Sequence, residues 1–393
     1  MADNFNNKDG IHAMVDYDKM SPGAKKIRDF YAIKPDAGII QLEFGYYCLD
    51  AWIEQGHITQ EQIDDWDYFS KLFMVEDHGG NHLGELGWCE AAFSPCFDTV
   101  VLEDRGEYEL VQDFAGRHVL YFKGRRNGFM PEYVDHPVKD MKTWEENCKW
   151  RMNPDSPERY ADFEKKLQPK ILRANQGCVT QQFVIGGYMY LRSLMGPEGA
   201  LYQFYDAPEL VHDCMKTWFE LADRVIAEHQ KYLTLDEIFF AEDICYKNGS
   251  LISPDMMREF LFPYYQQLIS NAKTRQIDKS RRLFLQIDTD GFAYPVIDVY
   301  KEIGMDYMSP FEVASGCDVV EVAKKYPDLR IRGGFDKRIL AAGKDAIDRE
   351  IDRIMPFMKK RGGYIPSSDH GVPAEVDFND YLHYRKRMQE FKD

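Results

Sequence analysis

Carboxylates recur at one kind of place in this chain. Glu242 and Asp243, Asp288 and Asp290, Glu312, Asp336, and Asp369 beside His370 each follow a short apolar run and precede a helix-forming stretch. A single aspartate in such a place is ordinarily a helix cap or a turn former. Five successive apolar runs ending in acids ask for more, because capping does not require so many acids on one rim. Crowded carboxylates raise one another's pKa or hold a cation or cationic cofactor, so the chemistry to expect is proton transfer or charge stabilisation. His370 stands in Ser367-Ser-Asp-His-Gly371, before Pro373, which places it on a loop. An imidazole there can exchange a proton near neutral pH; a histidine hydrogen-bonded inside a tight turn is the plainer reading. His78 and His82 are four apart, but Gly79-Gly80 between them argues against a helical metal pair. His212 and His229 fall on a helix and read as surface or packing residues.

The elements that must carry these acids alternate regularly in the carboxyl-terminal half. Strands are expected at Leu235–Ala241, Leu283–Ile287, Asp306–Met308, Arg330–Arg332 and Tyr364–Ile365. Ser253 caps a helix that Pro254 opens and Pro263 should kink or end. Further helices are expected from Pro295 to Gly304, from Asp318 to Lys325, and through Ile347, Ile351, Ile354, Met355 and Met358. Strand, polar loop and helix repeated in this way describe parallel βαβ units, whose strand-end loops share one face. The amino-terminal half is less regular. Ile39–Phe44 reads as a first strand, and residues 99–122 as a β-meander inserted before the barrel resumes. Pro154–Tyr160 reads as a polar hinge, followed by a helix opened by Pro208 that buries Val211, Met215, Trp218, Ala222 and Val225.

Composition narrows the function. With 393 residues, 44% of them hydrophobic, the chain can bury a large core. A formal charge of −17 argues against nucleic acid or an anionic membrane as principal partner. No apolar run is long enough to span a bilayer, and Met1–Asp9 lacks the form of a signal peptide, so a cytoplasmic protein is expected. The eight cysteines include no CxxC pair, and most read as reduced, buried small hydrophobes. GxGxxG, GxxxxGK[ST] and GxSxG signatures are absent. So is Asp-x-His-x-x-Gly, the segment with which many corrinoid proteins hold cobalt.

Seven short stretches, in order, resemble the uroporphyrinogen decarboxylase superfamily over residues 180–390. They are Ala241-Glu-Asp-Ile244 with Leu251-Ile-Ser-Pro254 and Phe260-Leu-Phe-Pro263, Leu285-Gln-Ile-Asp-Thr-Asp-Gly291, Gly304-Met-Asp306, Ser309-Pro-Phe-Glu312, Gly333-Gly-Phe-Asp336, Gly362-Gly-Tyr-Ile-Pro366 and Asp369-His-Gly-Val-Pro373. The resemblance implies an α/β fold, a (β/α)₈ TIM barrel, formed by residues 1–393 as one domain with the meander as an insertion. True decarboxylases of the superfamily carry an arginine-bearing segment like Met-Arg-Gln-Ala-Gly-Arg near the amino terminus. Here Gln41-Leu-Glu-Phe-Gly45 stands near that place, and an acidic rim suits a substrate of eight carboxylates poorly. The corrinoid-linked methyltransferase branch is the closer match. Its zinc-binding members use a His-x-Cys at a strand end, where this chain has Gln286 and Asp288.

The resemblance therefore implies a methyltransferase of a corrinoid-dependent demethylation system. It would take a methyl group from a small substrate, an aryl ether among the options, and pass it to cobalamin carried by a separate corrinoid protein. The alternative is a uroporphyrinogen decarboxylase or related decarboxylase. His370, Asp288 and Asp290 are the expected catalytic residues, with Glu242, Asp243, Glu312 and Asp336 around the substrate. An oxygen-rich zinc site of Asp288, Glu312 and His370 is one expectation, and a metal-free site with acids as proton donors is the other. A homodimer is compatible with either.

Overall fold

The structure, a computed structural model, describes residues 20–124 and 131–393; Met1–Asp9 lies outside them. Thirteen strands among the described residues run in the order β1 Gly80–Leu83, β2 Val100–Arg105, β3 Tyr108–Gln112, β4 His118–Phe122, β5 Glu132–Asp135, β6 Val179–Ile185, β7 Glu237–Ala241, β8 Cys245–Tyr246, β9 Gly249–Ser250, β10 Phe284–Thr289, β11 Tyr307–Pro310, β12 Arg330–Arg332 and β13 Tyr364–Ile365. Seven of them form a parallel sheet in the order β1-β6-β7-β10-β11-β12-β13, with helices in the connections. Each strand expected in the carboxyl-terminal half is present. β10 runs two residues past the expected end, so Asp288 belongs to the strand and its direction follows from alternation.

Residues paired across a parallel sheet point to the same face. Phe183, Phe239, Gln286, Tyr307 and Arg330 form one such row; Ile185, Ala241, Asp288 and Ser309 form the row above it. Ile238, Phe240, Leu285, Ile287, Met308 and Ile331, with the opposite parity, join the large core under the helices. The sheet curls. Val179, Phe284, Tyr307 and Ile365, from four strands spread across it, pack in one cluster around Ile27, Phe30 and Tyr31 of helix α1, Pro22–Tyr31.

Helix α1, capped by the Ser21 hydroxyl, closes the amino-terminal end of the curled sheet. It lies close to the preceding end of β1: a Cβ on Gly23 would stand 1.8 Å from the Asp77 carbonyl oxygen. Beneath the strands Arg28 donates to Asp236 at 3.0 and 3.2 Å, and Arg281 donates to the same carboxylate. Asp236 also accepts from the Thr180 backbone N–H at 2.8 Å. Burial would raise the Asp236 pKa, but the two guanidinium groups outweigh it and hold the carboxyl below its usual range.

Three expectations need correction. Ile39–Phe44 forms no strand, although Tyr46 makes a parallel bridge to Val372. The buried Arg385 guanidinium takes the Gln41 and Leu42 carbonyls, together with those of Phe73 and Met74, so these groups are satisfied without a ladder. Pro263 does not end its helix. A π-turn at Met257–Leu261 leads into a helix over Phe262–Arg275, and Pro263 sits in that helix's first turn, where no N–H is needed. The meander is longer than expected: β2 to β5 form a four-stranded antiparallel sheet that reaches Asp135 and lies in sequence between the paired strands β1 and β6. No helix among the described residues is long and apolar enough to cross a membrane. All eight cysteines are unpaired; six are buried, as small hydrophobes are, while Cys89 is half-buried and Cys96 exposed.

Asp236→Ala would leave two buried guanidinium groups without a counter-charge. We expect it to cost about 3–5 kcal/mol of stability, read as a fall in the urea midpoint.

Candidate active site

The strand-end residues that face the inside of the curled sheet come together. Asp288 is in its interior row, Asp290 follows two residues on, and Asp243 lies just past β7. The Glu242 and Asp243 N–H groups both donate to the Asp288 carbonyl, at 2.9 and 3.1 Å, which ties the end of β7 to β10. Asp243 takes a left-handed conformation (φ 43°) and pairs with Arg192 from the helix Gly187–Met195. The Ser309 hydroxyl donates to Asp288 and accepts from the Gln286 amide at 2.8 Å. Burial raises the Asp288 pKa to about 7; the Ser309 hydrogen bond opposes this, and the negative charges of Asp290 and Asp243 reinforce it. Burial likewise raises Asp243, against Arg192 and with Asp290.

His370 is half-buried between the rings of Phe44 and Tyr47, with centroids at 4.8 and 5.8 Å. Its Nδ1 accepts from the Gly371 N–H at 2.9 Å, which turns Nε2 toward Asp290, 3.7 Å away. Interaction with Asp290 raises the imidazole pKa against the effect of burial. The loop is held from below. Glu43 accepts from the Ser368 N–H at 2.8 Å and from its hydroxyl, and Gly371 leaves room for the Tyr47 ring, 2.5 Å from where a Cβ would be. The site therefore holds a carboxyl poised near neutrality and an imidazole–carboxylate pair, a set able to give and take protons.

Three expected site residues do other work. Glu242 points into the helix layer. It is fully buried, accepts from the Tyr188 N–H at 2.8 Å and from the Tyr265 hydroxyl, and is raised to about 7 by that burial. Asp336 caps the short helix Lys337–Leu340 and pairs with Arg338, the ordinary role of an aspartate at a strand end. Glu312 accepts from the Gly291 N–H at 3.0 Å and from the Ser315 hydroxyl at 2.8 Å, bracing the loop that carries Asp290. Asp369, raised by burial, similarly ties two other loops through the Val313 and Lys337 N–H groups.

The zinc set does not assemble. Among the described residues no three His, Cys, Asp or Glu side chains are gathered closely enough to hold a metal ion. Asp288 is engaged by Ser309 and Glu312 by a backbone amide, so Asp288, Glu312 and His370 do not fit a shared ion.

Sequence reading missed several residues of the interior. Ser309 lay in a quoted motif, and pairing β11 with β10 would have placed it beside Asp288. Trp88, Phe183 and Phe239 form an aromatic wall, with Trp88 stacked on Phe239 at 5.1 Å and 9°. His82 packs on Phe183 at 4.8 Å; burial and the neighbouring His78 lower its pKa to about 3. Arg332 lies near both histidines and contacts the Tyr307 hydroxyl. Arg192 had no recognisable signal.

A parallel sheet curled over a helix, with acids at its strand ends, defines an α/β enzyme-type scaffold. A family model described as uroporphyrinogen decarboxylase (URO-D) matches residues 174–390, more than half of the 393. The chain belongs to the uroporphyrinogen decarboxylase family. Among solved structures, a methyltransferase from Methanosarcina mazei is similar with 13% identity and a TM-score of 0.52, over 94% of this chain and 99% of that one. At that identity the likeness is one of fold. Xylanase B from Clostridium stercorarium F9 matches over 54% of this chain and 72% of that one, at 14% identity and a TM-score of 0.29, too low to carry an argument. Comparison with curated proteins gives no match.

The raised Asp288 pKa has a consequence for stability. Between the ordinary value of 3.8 and about 7 the folded protein holds a proton that the unfolded chain has released. Stability therefore falls as pH rises through that window. Asp288→Asn cannot ionise, so its melting temperature relative to the unaltered protein should increase across the window and level off above it. A difference that is flat with pH would contradict the assignment.

Proposed function

We propose that the protein is the methyl-donor-side methyltransferase of a corrinoid-dependent system, acting on a small methylated substrate with a separate corrinoid protein as acceptor. We read the curled sheet as a (β/α)₈ barrel whose eighth position is filled by the irregular segment 39–46. The observation that carries the reaction is Asp288, a half-buried carboxyl raised to about 7 beside Ser309 and within the field of Asp290 and Asp243. Family membership and a fold shared with a methyltransferase support the reading.

The reduced corrinoid of the partner supplies the nucleophile. As the carbon–oxygen bond of the donor breaks, its electron pair remains on oxygen, and the protonated Asp288 gives that oxygen its proton. Ser309, oriented by Gln286, holds the carboxyl in place. His370, paired with Asp290, can return a proton to Asp288 between turnovers, and the stacking of Phe44 and Tyr47 fixes its ring. A half-buried acid near pH 7 is well matched to this task, since general acids work best with a pKa near the operating pH.

Partner dependence and two substitutions test this. Methylation of an added reduced corrinoid protein should require both proteins, and carbon dioxide release from a porphyrinogen by this chain alone would replace the reading with decarboxylation. Asp288→Asn should lower kcat by roughly 10²–10⁴-fold with little change in KM. His370→Ala should abolish turnover while leaving the far-UV circular dichroism and melting temperature close to those of the unaltered protein. Methyl transfer that survives both substitutions would place the chemistry elsewhere.

A further inference from the structure

The alternation that places Phe183 inside the curled sheet turns its neighbour Gln182 outward, beneath the helices. On that outer side lies a cavity of about 140 Å³, lined by Glu85, Ser94, Arg159, Tyr160, Phe163 and Val225. A space of that size admits a molecule as large as benzene. Glu85 follows β1, Phe163 opens the helix Phe163–Asn175, and Val225 belongs to the helix Pro208–His229. Asp288 belongs to the interior row, so the sheet stands between it and this space.

Both charged groups of the cavity are held in place. Glu85 takes a left-handed conformation (φ 71°), which a residue with a side chain keeps only where its surroundings impose it. His229, fully buried and stacked on Phe163 at 5.0 Å, brings Nε2 to 3.3 Å from Oε2 of Glu85. The other ring nitrogen meets the Gln182 amide oxygen at 2.6 Å, and the Gln182 amide nitrogen donates to the Gly84 and Phe183 carbonyls at 2.9 and 3.0 Å. Burial would raise the Glu85 pKa, but His229, Lys166 and Lys170 outweigh it and hold the carboxyl below its usual range. Arg159 donates through Nε and Nη2 to the Asn153 and Arg151 carbonyls, at 2.9 and 2.6 Å. Those bonds fix the guanidinium and leave Nη1 uncommitted, and no carboxylate among the described residues pairs with it. The Tyr160 hydroxyl is engaged by the Pro154 carbonyl at 2.7 Å, so its ring joins Phe163 and Val225 as apolar wall.

We infer that this cavity is a second binding site, for a small amino acid, with the ammonium group on Glu85, the carboxylate on Arg159 and the hydrocarbon against Tyr160, Phe163 and Val225. The charges select the class. A simple anion would meet the Glu85 carboxylate, and a simple amine would meet the Arg159 guanidinium, whereas a zwitterion satisfies both. Hydrogen bonds between ionised groups are the strong ones, and a planar guanidinium matches a carboxylate in shape. A pocket with a few placed polar groups on apolar walls is the usual form of a small-molecule site. The inference is independent of the methyltransferase reading, because none of these residues belongs to the strand-end set. The shared chemistry is an ammonium and a carboxylate on one short hydrocarbon frame, and their spacing separates α-amino acids from ω-amino acids.

Calorimetric titration of the full chain tests it. One series is leucine, leucinamide and N-acetylleucine; the other is 5-aminopentanoate, pentylamine and pentanoate. In one series the zwitterion should bind about 10- to 100-fold more tightly than either analogue that lacks a charge, the usual worth of hydrogen bonds to a charged group. The series that shows the preference gives the spacing. Glu85→Gln should lower the affinity of that zwitterion to that of the analogue without an ammonium group, and Arg159→Gln to that of the analogue without a carboxylate. Asp288→Asn should leave it unchanged. If in neither series the unaltered protein prefers the zwitterion, the inference is overturned, and this comparison requires no variant to fold. Affinity that survives in folded Glu85→Gln and Arg159→Gln proteins overturns it too. Affinity lost in Asp288→Asn would move the ligand to the strand ends, with the same result.

Discussion

Everything inside this curled sheet depends on how the strands are seated at their amino-terminal ends, and one carboxylate does the seating. Asp236 receives Arg28 from helix α1, Arg281 from the segment before β10, and the Thr180 N–H of β6. Its own backbone bonds to Thr180 and to Phe284. Three strands and the plugging helix are thereby fixed at one level. Buried ion pairs are poor sources of net stability, because desolvation offsets most of the attraction, but they are demanding about geometry. Here that demand sets the register of β6, β7 and β10, and the register decides which side chains reach the interior.

The interior then sorts charge by height. Cation and anion balance at the bottom, in the Asp236 cluster. Two histidines held below their usual range, His78 and His82, stand in the middle, and at the strand ends the carboxylates gather with Arg332, whose charge opposes the rise of the Asp288 pKa. A field of alternating sign acts on a ligand through its orientation more than through its total affinity, since each end of the ligand meets a different potential. Partial burial amplifies it: desolvation is the largest cause of the raised Asp288 pKa, and the nearby acids add to the same shift.

Much of this order was legible in the residues, and the limits have physical causes. The βαβ alternation, the strand positions of the carboxyl-terminal half and the pairing of Asp288 with Asp290 two residues on follow from local patterns. Whether an acid at a strand end turns inward does not, because parity must be counted from a strand end that is set by long-range pairing. Glu242 and Asp243 are adjacent and have opposite fates for that reason. Asp336 and Glu312 carry the same residue types as the site and are consumed by a helix cap and a loop amide. The amino-terminal half hid more. β1 is four residues long and includes a glycine, with Trp88 in irregular chain after it, so His82 and Trp88 had no periodicity to mark them. Ile39–Phe44 looked like a strand because its residues suit one; the partner of its carbonyls is an arginine more than 300 positions away in sequence.

The parity of β10 also bears on how such a chain can change over evolutionary time. Gln286, Asp288 and Asp290 face inward while Leu285, Ile287 and Thr289 pack outward, so removing one residue at the start of the strand would exchange the two sets together. Leucine and isoleucine would then line the ligand space, and carboxylates would be driven under the helices. The loops beyond the strand ends carry no such count and can lengthen or shorten freely. Novelty in this lineage is therefore open to insertions at the rim, whereas the staves can change only by substitution, one side chain at a time.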